Sequence, residues 1–299
     1  MCSGSIQNTP IARSHRCIKR DDEWIATTPL HVLLYQFFDW PQPVWVHVLP
    51  VLGLDGKRFA KRHGATSIID YLDQGYLPEA LINFLVFIGW VYDDSTEIMT
   101  IEELIARFDL SRISPSGGIF NIDKLNKFNG IYLRNLKLPD LIERVSPYLQ
   151  RAGVLGATLT EDEHVTLTCL LPLMQERIVV LSDASSLVRP FFHTPTYDPA
   201  LLLSKKSDVA TIRHALQAAT NILASLAPWE TTTIENQLRQ LGAELNLKRD
   251  LLMSVRVAVT GSTVSLPLFE TFDILGWETT IERLAQAGAF LAGMSDQSA

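Results

Sequence analysis

The chain has 299 residues, of which 47 % are hydrophobic and 20 % charged, a globular composition that excludes an intrinsically disordered chain. Its formal net charge of −7 excludes a uniformly basic nucleic-acid binder, so any RNA contact must come from a local concentration of positive charge. The length accommodates two or three domains.

Residues 1–20 lack periodicity and read as an unmatched leader; MCSGSIQNTP is polar and lacks the apolar core of a signal peptide. TPLHVLLYQFFDW, 28–40, predicts a helix with Thr27 or Thr28 as cap and Pro29 in the first turn. The β-branched run VWVHVLPVLG, 44–53, predicts a buried strand or extended segment. Asp55-Gly56 then opens a turn into the basic tract Lys57, Arg58, Lys61, Arg62 and His63. From residue 65 onward, helical patterns prevail. Ser67 caps IIDYLDQ before Gly75, and Pro78 starts PEALINFLVFIGW, which stops near Gly89. The most apolar run, Leu81 to Tyr92, falls short of the roughly 20 residues a membrane span needs and reads as a buried core helix. Thr100 with Glu103, and Thr160 with Glu163, form capping boxes, while Asn121 or Asp123 opens a further helix. LPDLIERVSPYLQ follows, and a composition shift near 151–160 marks a domain boundary. Longer helices are predicted at 161–189, 207–226, 231–247 and 278–291, with Pro172 kinking or splitting the first.

The candidate chemistry is sparse. The glycine-flanked basic tract is either a clamp for polyphosphate or RNA backbone, or a solvated loop, and it contains no Walker A sequence. Asp21, Asp22 and Glu23 are either metal or ribose ligands or, more simply, surface acids. The histidines share no metal-ligand spacing, and no nucleophile–base arrangement emerges. Cys2, Cys17 and Cys169 form no C-x-x-C pair and read as reduced thiols of a cytosolic protein.

Several segments, in a consistent order, resemble the bacterial-type glutamyl-tRNA synthetase family. DDEWIATTPLHVLLYQFFDW resembles the last strand–helix portion of its catalytic domain. Arg58-Phe59-Ala60-Lys61-Arg62, followed by His63-Gly64, resembles its K-x-S-K-R signature loop. FDLSRISPSGGIFNIDKLNKFNGIYLRNL resembles its stem-contact region, and Val255 to Ser262 with PLFETFDILGWETTIERL resembles its C-terminal end. The resemblance implies a mostly α-helical chain with three parts. Residues 21–64 would be a remnant of the α/β, Rossmann-type catalytic domain, 65–155 a helical stem-contact domain, and 156–299 a helical anticodon-binding domain. It also implies that Lys61 acts on ATP phosphates in adenylate formation, with Arg58 and Arg62 beside it, and that Glu23 and Trp24 line the active site. Arg177 would contact the anticodon, with a surface salt bridge as the alternative, and Lys124 and Arg134 would meet tRNA on a face shared with Arg107, Arg112, Lys127 and Lys137. ATP with Mg2+ is the implied nucleotide, without a protein-held metal site. The implied partner is tRNA(Glu), with neither DNA nor membrane, in the cytoplasm.

Against the family pattern, Arg58 replaces a Lys and Ala60 a Ser, and these residues contain no H-I-G-H sequence or glycine-rich ATP-cradling turn. The expectation is therefore an N-terminally truncated ligase part, from gene truncation, a split gene or an incomplete gene model, that binds tRNA, does not aminoacylate alone and would become active if a separate chain supplied the missing catalytic half. The alternatives are a non-catalytic tRNA-binding module or a protein-interaction scaffold.

Overall fold

The structure is a computed structural model, and it describes residues 17–21, 24–60, 64, 67–114, 116–204 and 207–296. Two compact units divide at 135/136. Among the described residues lie twelve α-helices and a single two-stranded sheet, so the mostly helical expectation holds. Glu23, Lys61, Arg62 and His63, together with residues 1–16 of the predicted leader, lie outside the described residues.

The first unit begins with a β-α-β arrangement. Strand β1 (Cys17–Asp21) pairs in parallel with β2 (Val44–Val48), Cys17 opposite Val44 and Asp21 opposite Val48, and α1 (Thr28–Phe37) connects them. The predicted strand is therefore present, but it is half exposed rather than buried. Pro29 occupies the first turn of α1 as expected, whereas the cap differs. The Thr27 hydroxyl donates back to the Trp24 carbonyl at 3.2 Å instead of accepting from the helix.

The helical body that follows takes its boundaries from local chemistry. Helix α2 (Ile68–Gln74) starts on a Ser67–Asp70 capping box and ends on left-handed Gly75. Helix α3 (Pro78–Gly89) packs against α5 (Ile122–Asn135), with α4 (Ile101–Arg107) alongside. Phe84 meets Phe120 and Phe128 edge-on, at centroid distances of 5.0 and 6.1 Å. Two buried amides tie loops to this core. Asn83 Oδ1 accepts from the Met99 N–H at 2.7 Å, and Asn129 Oδ1 accepts from the Leu77 N–H at 2.8 Å. Each would cost free energy if left unpaired, so each fixes its loop.

The second unit is wholly helical among its described residues: α6 (Leu138–Arg151), α7 (Glu161–Gln175), α8 (Ala184–Phe192), α9 (Val209–Ala224), α10 (Thr231–Glu244), α11 (Lys248–Thr260) and α12 (Leu268–Asp296). Two sequence expectations are corrected here. Helix α7 runs through Pro172 and stops at Gln175, because buried Leu170, Leu171 and Met174 hold that stretch in the core despite the lost backbone donor. Helix α11 was given no element in the sequence reading; its valines Val255, Val257 and Val259 are buried on it. Helix α12 joins two helices across Gly276, whose φ of 78° breaks the run and accounts for the prediction of only its second half. No helix of the described residues is long and apolar enough to cross a membrane.

Candidate nucleic-acid interface

One concentration of positive charge lies on the second unit. On α11, Arg249, Leu252, Met253 and Arg256 recur at helical spacing along one side. With Lys248 and with Arg239 of α10 they line a concavity of about 360 Å3. Gly261, at φ 72°, ends α11 and turns the chain so that buried Ser265 comes back beside the helix. There Arg256 Nη1 donates to Ser265 Oγ and, at 3.0 Å, to the Leu266 carbonyl. Arg177, in the turn just after α7, donates to the Ser265 carbonyl at 3.0 Å.

Two guanidinium groups thus converge on one dipeptide. Burial, and then the charge of Arg177, push the Arg256 pKa below its ordinary value. A guanidinium remains charged in a protein, so two like charges lie close together here. Arg177, Lys248, Arg249 and Arg256 have no carboxylate partner among the described residues. Arg239 differs: it is paired with Glu235 at 2.6 Å and stacks on Phe269. The salt-bridge alternative for Arg177 therefore has no support in this geometry. Arg256, Lys248 and Arg249 were not singled out from sequence; their 3–4-residue spacing would have revealed them had α11 been recognised.

In the first unit the basic tract begins on a tight hairpin. The Gly53 N–H donates to the Lys57 carbonyl at 2.8 Å, and the Phe59 N–H donates to the Val51 carbonyl at 2.8 Å. Gly56 supplies the positive φ, and Asp55 accepts from the Lys57 N–H at 3.0 Å. The hairpin is docked on residues 118–120, where the Leu52 N–H donates to Gly118, the Phe120 N–H donates to Leu52, and Phe59 stacks on Phe120 at 4.4 Å. A Cβ on Gly118 would sit 1.8 Å from the Ile88 carbonyl oxygen, so only glycine permits this approach. Lys57 and Arg58 are exposed on the hairpin. Lys61 and Arg62, which continue the tract, lie outside the described residues. Trp24 is 41 % exposed and lies 6.1 Å from the His31 ring.

The stem-contact candidates are mixed in character. Lys124 on α5 is engaged by Glu97 at 2.7 Å and lies over Phe128. Lys127 and Arg134 are exposed on the same helix and have no carboxylate partner among the described residues. Arg107 pairs with Glu103 at 3.7 Å, and Arg107 and Arg112 lie 5.0 and 5.2 Å from the Tyr92 ring centroid. Among the described residues, no group of three or more His, Cys, Asp or Glu side chains could hold a metal ion.

Comparison with known proteins agrees with both units. Residues 16–127 match the family described as tRNA synthetases class I (E and Q), catalytic domain, and residues 140–288 match the anticodon binding domain family. Among curated relatives, the glutamate–tRNA ligase of Herpetosiphon aurantiacus is 48 % identical over 93 % of this chain and 57 % of its own length. That of Roseiflexus castenholzii is 46 % identical over 92 % and 55 %. A solved glutamate–tRNA ligase from Elizabethkingia meningosepticum, in complex with its amino acid, superposes with a TM-score of 0.74 at 25 % identity, covering 92 % of this chain and 57 % of that one. The chain thus spans somewhat over half the length of the relatives it matches. With catalytic-domain and anticodon-domain matches in the same order and nearly the whole chain aligned, the protein belongs to the glutamate–tRNA ligase family of class I aminoacyl-tRNA synthetases.

Proposed function

We propose that this chain is the tRNA-binding part of a cytoplasmic glutamate–tRNA ligase, holding tRNA(Glu) through residues 65–155 at the stem and 156–299 at the anticodon. The observation that carries the reading is the pair of guanidiniums, Arg177 and Arg256, gathered at Ser265–Leu266 beside Lys248 and Arg249 without a neutralising carboxylate among the described residues. Such a cluster suits phosphate oxygens and the acceptor edges of unstacked bases. Lys124, Lys127 and Arg134 add phosphate contacts from the first unit, with Lys124 exchanging its Glu97 partner for RNA.

ATP with Mg2+ belongs to the same reading as the nucleotide substrate. Arg58, Lys61 and Arg62 would meet its phosphates, where cations stabilise charge developing during adenylate formation, and Glu23 and Trp24 would line the pocket. These 299 residues contain no H-I-G-H sequence, so in this reading aminoacylation draws that half of the active site from sequence outside them.

The test is binding of tRNA(Glu) by the purified chain, with glutamate attachment assayed in parallel. Binding without attachment is expected, weakened roughly tenfold to a hundredfold by Arg256→Ala or Arg177→Ala, the range for losing one base-reading guanidinium. Attachment by these residues alone would refute the need for the absent half, and absence of tRNA binding would leave a scaffold.

A further inference from the structure

Arg283 lies on the second half of α12, past Gly276, and is 7 % exposed. Its Nη1 donates to the Val259 carbonyl at 2.7 Å and its Nη2 to the His193 carbonyl at 3.4 Å. No carboxylate pairs with it among the described residues. Burial pushes its pKa below the ordinary value, and the charge of Glu282 offsets that only in part. A buried cation without an opposite charge costs free energy that an apolar side chain of similar length would avoid. What the guanidinium adds is the placement of two carbonyls far apart in sequence. Val259 is in the last turn of α11, where carbonyls have lost their helical partners and a cation is favoured. The residues that follow make the left-handed turn at Gly261 and return Ser265 and Leu266 to Arg177 and Arg256. His193 ends α8, and its Nε2 is hydrogen-bonded to the Val154 carbonyl at 3.0 Å. The strap that leaves it, 193–197, backs the same turn. A Cβ on Gly261 would lie 2.8 Å from Pro195 and 3.5 Å from Tyr197, and Tyr197 meets Phe290 of α12 edge-on at 6.1 Å.

We propose that Arg283 is a positioning residue for RNA recognition: by holding the end of α11 and the 193–197 strap, it sets the Ser265–Leu266 dipeptide on which Arg177 and Arg256 converge. The proposal rests on the tRNA-binding reading and names a residue that serves that site without touching the ligand. Arg283 fastens both the helix end that launches the Gly261 turn and the strap behind it. It is not among the residues that line the basic groove, and it is too buried to meet RNA itself. Its loss acts on the site through the turn, which leaves Ser265 free to shift away from the two guanidiniums it anchors.

The test measures tRNA(Glu) binding by the full chain carrying Arg283→Met or Arg283→Lys, each alone and together with Arg177→Ala, at a temperature where circular dichroism shows the variants equally helical. Arg283→Met should weaken binding about tenfold in the otherwise unaltered chain and no more than about threefold in the Arg177→Ala chain, the non-additivity of residues that act through one hydrogen-bond network. Arg283→Lys keeps a cation for the Val259 carbonyl and should recover much of the lost affinity. Where Arg283→Met does not fold, Arg283→Gln, which removes the charge but keeps a donor, is read against the same outcomes. Loss by the same factor in both backgrounds would overturn the proposal and make Arg283 a general support of the fold. Undiminished binding by folded Arg283→Met, while the unaltered chain binds, would overturn it alone. Absence of binding by the unaltered chain would instead refute the RNA-binding reading, and the proposal with it.

Discussion

Arg177 shows how a candidate residue can be readable while its environment is not. Arg177 stood out through family resemblance, but its hydrogen-bond partner Ser265 lies 88 positions away, beyond the reach of any local pattern. The Ser265 loop is brought there by the left-handed turn at Gly261, which a Cβ would push to 2.8 Å from Pro195. Asp93 makes the opposite case, because its role is local. It accepts from the backbone N–H groups of Ser95 and Thr96 and from both hydroxyls, and these bonds hold its carboxyl at about 2, well below the usual value of 3.8. A depressed carboxylate pKa stabilises the fold above the unfolded value, and that contribution fades as pH falls through the folded one. The stability difference between the unaltered chain and Asp93→Ala should therefore be full at pH 7 and should shrink between about pH 4 and pH 2. Chemical denaturation across that range measures it; a difference independent of pH would remove the carboxylate from the account.

At the scale of elements, caps were legible and tertiary overrides were not. Ser67, Thr100 and Thr160 each accept the hydrogen bond that the sequence spacing predicts, and their Asp70, Glu103 and Glu163 partners reach back. Thr160→Ala should cost about 1 kcal/mol in urea unfolding, the usual loss for an N-cap, and an unchanged midpoint would show that the cap is dispensable. Gly118 is the tertiary counterpart. Gly118→Ala forces a methyl against the Ile88 backbone and should destabilise the first unit by roughly 1–3 kcal/mol, while loosening the hairpin that presents Arg58. Tryptophan fluorescence during unfolding reads the first effect. Helix α11 carries valines of strand character, and their burial in the core shared with α9, α10 and α12 favours the helix.

For the whole molecule, the net charge is −7, yet Arg239, Lys248, Arg249 and Arg256 line one groove. The affinity for tRNA(Glu) should fall as salt rises, because phosphate contacts release counterions whatever the overall sign of the protein. Titration at several ionic strengths should give a negative slope of log affinity on log salt, shallower for Arg249→Ala by about one ion; a flat dependence would sink the phosphate assignment. The sequence by itself determined the family, the largely helical class and most helix boundaries. Those properties reside in short-range spacing: capping pairs, glycines past helix ends and ordered signature segments. The structure alone decided which cations escape neutralisation, since Lys124 meets Glu97 across the fold and Arg256 meets only a serine and a carbonyl. It also decided that α1 keeps an uncovered apolar side, because whether a hydrophobic residue is buried depends on what the rest of the chain places over it, which periodicity does not encode.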